Sequence, residues 1–116
     1  MSHSLSPEDL PPDPTTDLDA ELKRQFERAI CKYFFEACDG STQSLLMECR
    51  WTIRIVRVVV LTIHCSDQEK NWRVLNRVAI LAKYLSQFST HAKIRVHPPS
   101  EMGSLPFDMR VDERAL

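Results

Sequence analysis

Between Thr15 and His97 the chain contains no proline, and its 116 residues include only two glycines, Gly40 and Gly103. Proline and glycine are the strongest punctuation of regular structure. Nearly all helix and strand must therefore lie inside that span, in long elements joined by short links. A chain of this length has room for one compact core. Residues 1–15 hold four of the seven prolines together with Ser, Asp and Thr and no apolar period, the pattern of a disordered, acidic lead-in. The expected organisation is that lead-in, a single globular domain over residues 16–112, and a short tail over 113–116.

A first helix is expected to start after Thr16, which would cap it. Leu18, Leu22, Phe26, Ile30 and Phe34 recur every fourth residue, with Ala29, Tyr33, Ala37 and Cys38 beside them, giving an amphipathic stripe. Asp39-Gly40 should end the helix, with Gly40 left-handed. A second helix is announced by Ser66 and Glu69, spaced as a capping box. Its apolar arc runs over Trp72, Val74, Leu75, Val78, Ala79, Leu81, Ala82, Leu85 and Phe88, and Ser89-Thr90-His91 closes it.

From Cys49 to Cys65 the sequence is rich in β-branched residues. Trp51, Ile53 and Ile55 alternate with Arg50, Thr52 and Arg54 as in a half-buried strand. From Val56 to Ile63 both sides become apolar except at Arg57, as in a strand covered on both faces. With no turn residue present, one long strand with a bend or bulge near Val56-Arg57 is expected. Ala92–His97 and Phe107–Val111 complete the sheet. Strand, helix, strand with tight links predicts a right-handed βαβ unit. The fold class is α+β, or a small α/β domain, in the order α-β-α-β-β with two helices packed on a small sheet. Such a sheet has exposed edges and an incompletely covered face, which favours a homodimer.

The net charge of −1 conceals an uneven distribution. Residues 1–21 carry six acids and no Lys or Arg, whereas residues 50–100 carry nine bases against Asp67 and Glu69. A basic middle attracts anionic partners, either nucleic acid or an acidic protein segment, unless the acidic ends fold over it. No apolar run approaches the roughly 20 residues of a membrane span, and the start is acidic where a signal peptide would be basic. A cytoplasmic protein is the expectation.

Three candidate sites follow. On the second helix Arg73, Arg77, Ile80 and Tyr84 line up with Lys83 beside them, mixing Arg and Tyr as interface anchors do. Arg50, Arg54 and Arg95 would form a basic patch if their strands expose one face. At the carboxyl ends of the parallel strands stand His64, Cys65, Ser66 and His97, where open α/β sheets bind ligands and a helix N-terminus can activate a thiol.

Chemistry is otherwise sparse. Cys31, Cys38, Cys49 and Cys65 show no metal-knuckle spacing and no C-x-x-C pair, no metal or other cofactor is expected, and two isolated glycines cannot build a phosphate loop. RNP1 and GXXG motifs are also missing. The leading reading is a small non-enzymatic interaction module, a regulator, adaptor or assembly factor, that contacts a protein partner through the second helix. The alternatives are a nucleic-acid binder using the basic middle and an anion-binding or thiol enzyme near Cys65.

Overall fold

The computed structural model describes residues 14–100 and 103–112. Residues 1–13, most of the expected lead-in, and the tail 113–116 lie outside the described residues. The elements are α1 (Pro14–Ala37), α2 (Gly40–Met47), β1 (Arg50–Val56), β2 (Val58–His64), α3 (Gln68–Leu75), α4 (Val78–Leu85), β3 (His91–His97) and β4 (Phe107–Asp112). The α+β class and the single core are as expected. The second expected helix, however, resolves into a pair, a further short helix follows the first, and the expected long strand divides into two.

Helix α1 opens at Pro14, where a preset φ and a missing N–H cost nothing, so Thr16 lies within the helix and is not its cap. Gly40 is not left-handed; it opens α2, whose cap is Asp39, its carboxylate accepting from the Thr42 N–H at 2.7 Å. The cap of α3 is likewise Asp67, not Ser66, accepting from Lys70 N at 2.8 Å. A carboxylate is the stronger acceptor and suits the positive helix end. At Asn76-Arg77 the apolar period continues while the helix breaks, because Arg77 N bonds to Val74 O in a tightened turn.

The chain reverses at Arg57, whose φ of 67° is left-handed. Val56 and Val58 are partners across this turn, so β1 and β2 form an antiparallel hairpin where a bend was expected. Strand order is β1-β2-β3-β4, with β2 and β3 parallel around α3 and α4, and β3 and β4 antiparallel.

Register fixes two faces. Trp51, Ile63 and Val96, then Ile53, Leu61, Ile94 and Met109, then Ile55, Val59, Ala92 and Val111 form rows across one face. That face carries the core, under Ile30 and Phe34 of α1, Leu45 and Leu46 of α2, Val74 of α3, and Val78, Leu81 and Leu85 of α4. Trp51 stacks on Phe35 and meets Phe34 edge-on, on the opposite side from Arg50. The reading of Val56–Ile63 as covered on both faces is corrected, since Val58, Val60 and Thr62 lie on the face away from the described helices.

The β1 edge is closed by α1. Buried Glu27 accepts from the Ile55 N–H at 2.8 Å. A strand edge that would otherwise recruit another chain is thereby satisfied internally. On the far edge, β4 carries Asp108 and Arg110.

Candidate functional site: an open basic sheet face

Alternation along the four strands puts the other half of their residues on the uncovered face. Its rows are Arg50-His64-His97, then Thr52-Thr62-Arg95-Asp108, then Arg54-Val60-Lys93-Arg110, then Val56-Val58-His91-Asp112. Arg50, Arg54 and Arg95 therefore do share a face. Among the described side chains, Lys93 and Arg110 join them, against Asp108 as the one carboxylate.

The pKa of Asp108 is lowered, first by its hydrogen bonds from Arg95. Arg95 Nε and Nη2 reach its two oxygens at 2.7 and 3.0 Å, and Lys93 Nζ lies 3.6 Å away. Arg54 stands 4.0 Å from Glu27, which is already committed to the backbone of β1. A depression of about 270 Å³ is lined by Val58, His91, Ala92, Lys93, Arg110 and Val111. Among the described lining residues three are basic.

The helix stripe is placed differently from what its sequence implied. Arg73 makes a two-point ion pair with Glu48 of the α2 C-cap at 3.1 and 3.4 Å. Arg77 donates to Thr42 Oγ1 at 3.1 Å and lies 3.9 Å from Asp39, and the Tyr84 hydroxyl donates to Asp39 at 3.2 Å. These three side chains strap α3 and α4 to α2. Ile80 and Lys83 remain exposed, and Ile80 borders a shallow groove with Ser41, Ser44, Leu45, Arg73 and Arg77.

At the strand ends His64 and His97 meet as neighbours, their rings stacked 4.5 Å apart and 6° from parallel. Burial, then His97 and then Arg50, lowers the pKa of His64. Cys65 follows on the opposite side of the chain, buried, with its thiol pushed up to about 12 chiefly by that burial. It is protonated at neutral pH. Among the described residues no hydrogen bond joins either imidazole to this thiol, and Ser66 is exposed without a capping role. No group of three His, Cys, Asp or Glu side chains among the described residues could hold a metal ion. None of the described helices is long and apolar enough to cross a membrane.

Lys93, Arg110 and His91 were missed in the sequence, although strand parity could have found them: Lys93 is two residues from Arg95, and Arg110 alternates with Met109 and Val111. The outer stripe of α1 was missed as well. Leu18, Leu22, Phe26 and Tyr33 are 62%, 56%, 60% and 55% exposed. No family model, curated protein or solved structure matches the chain.

Proposed function

We propose that this chain is a non-enzymatic interaction module that binds an acidic protein segment on its open sheet face. The observation that carries the reading is a four-stranded face over which none of the described helices packs, with five cationic side chains, a basic depression and, among the described side chains, one carboxylate already claimed by Arg95 and Lys93. Val56, Val58 and Val60 add apolar area at one end, so the partner chemistry is acidic with apolar residues interspersed. A protein is favoured over single-stranded nucleic acid because such binders stack bases on aromatic side chains, and the rows of this face contain no Trp, Tyr or Phe. We place the module in the cytoplasm, where its four free thiols would stay reduced.

The test is NMR titration of the protein with poly-glutamate and, separately, with an oligo-dT of equal charge. Poly-glutamate should shift the amides of Arg54, Lys93, Arg95 and Arg110, with an affinity that weakens as salt rises. Tighter binding of the oligonucleotide to the same amides would replace the protein reading with the nucleic-acid one. Shifts confined to α3 and α4 would favour a second reading, in which exposed Ile80 and its groove beside Arg73 and Arg77 form the contact.

The homodimer belongs to this proposal through α1. Leu22, Phe26, Ala29 and Tyr33 are spaced 4, 3 and 4 residues apart, the seam of a helix pair. An antiparallel pairing of two copies of α1 that sets Leu18 against Tyr33 also sets Asp19 against Lys32. The partner on this stripe is thus a second copy of the chain. Light scattering should give a dimer for the wild type and a monomer for Leu22→Glu/Phe26→Glu; a monomeric wild type would overturn it.

A further inference from the structure

The antiparallel register of the hairpin pairs Arg50 with His64. One step further along each strand are Cys49 and Cys65, opposite one another by the same register. They fall on the core side, with Cys65 buried and Cys49 half-buried. Directly opposed residues of an antiparallel pair have Cα atoms about 4.5–5.5 Å apart, inside the range of about 4.4–6.8 Å that a disulfide spans. A cavity of about 470 Å³, lined by Glu48, Cys49, Arg50, His64, Cys65, Ser66, Pro98 and Ser100, gives solvent a way to the pair.

We propose that Cys49 and Cys65 form a reversible dithiol–disulfide site whose oxidant is a low-molecular-weight disulfide. The two cysteines have unequal roles. Burial raises both thiols, but at Cys49 this is opposed by the hydrogen bond from the Cys65 thiol and by Lys70 and Arg73. Cys65, the donor, is the more strongly raised, to about 12. Cys49 is therefore the attacking sulfur and Cys65 the resolving one.

The Cys49 thiolate attacks one sulfur of the oxidant, forming a mixed disulfide and expelling the first small thiolate, which takes up the proton that Cys49 released. The Cys65 thiol then gives up its proton and attacks the Cys49 sulfur, expelling the second small thiol. Two protein thiols are oxidised to one disulfide, and one small disulfide is reduced to two thiols. The bond would tie the open end of the β1–β2 hairpin, next to Arg50 and His64 of the basic face. The remaining cysteines are not equivalent, since Cys31 lies on α1 and Cys38 seven residues on, just past its end.

The test is incubation of the purified chain with oxidised glutathione, followed by alkylation and peptide mapping. Alkylatable thiols should fall from four to two, with a monomeric product, a cross-link joining the Cys49 and Cys65 peptides, and a higher melting temperature. Cys65→Ser should halt at a glutathione adduct on Cys49, and Cys65→Ala should do the same if serine is poorly tolerated in the buried site. A link between any other pair, a disulfide between chains, or four thiols persisting where an unfolded control oxidises would overturn the proposal. The outcome does not depend on which macromolecule the sheet face binds.

Discussion

Lys93 and Ile94 are adjacent in β3 and point to opposite worlds. Ile94 is fully buried beneath the helices, in a row with Ile53 and Leu61. Lys93 stands in the uncovered row with Arg54, Val60 and Arg110. The covered face is apolar in every strand, whereas the open one sets Arg54, Lys93 and Arg110 beside Val56, Val58 and Val60. The same alternation therefore writes two messages into each strand: one side stabilises the fold and the other is available for binding. Substitutions one residue apart should separate the two.

The largest effect belongs to the covered face. Ile94→Ala should cost about 2–5 kcal/mol in urea unfolding, through lost burial and a residual cavity, while Lys93→Ala should stay within about 0.5 kcal/mol because its ion pair is exposed. Equal losses would break the comparison. Next is the sheet edge. Glu27→Ala leaves the half-buried Ile55 N–H without its acceptor and should cost about 1–3 kcal/mol, and Glu27→Gln, which keeps an acceptor oxygen, should cost less.

At the hairpin tip, Arg57→Gly should gain about 1 kcal/mol, since a left-handed φ strains any side chain but not glycine. The smallest effect is in pH dependence. A lowered His64 pKa in the folded state means that the neutral ring is preferred. Its contribution is intact above the ordinary histidine pKa of about 6.5 and is lost as pH falls through the folded value. Melting temperatures between pH 7 and 5 should decline less for His64→Gln than for the wild type.

How much of this was readable in the sequence depends on which residues signal a break. The strands and their parity were legible, so Arg50 and Arg54 could be put on one side of their strand, whereas whether Arg95 shared that side depended on a strand register that spacing alone does not fix. The reversal at Arg57 was not, because the turn uses an arginine where glycine or asparagine is the usual cue. Helix α2 was invisible for a related reason: eight residues rich in Ser and Thr show no period.

The four-residue repeat in α1 was misleading in a more instructive way. Each step of four advances 400°, so Leu18 and Phe34 end up about 160° apart around the helix. What looks like one stripe is a core-facing C-terminal half and an outward-facing N-terminal half. On α3 and α4 the Arg and Tyr side chains could be grouped by their spacing, but their partners on α2 and at its cap could not be foreseen while α2 itself was unseen.

The separation of the two faces can be tested most directly by capture from nuclease-treated native lysate, comparing the wild type with Arg50→Glu/Arg110→Glu. Both proteins should melt within a few degrees of one another, because neither side chain contributes to the core. A stoichiometric protein held by the wild type and lost from the variant is the predicted result. The same protein retained in equal amount by both would contradict the assignment of binding to the open face.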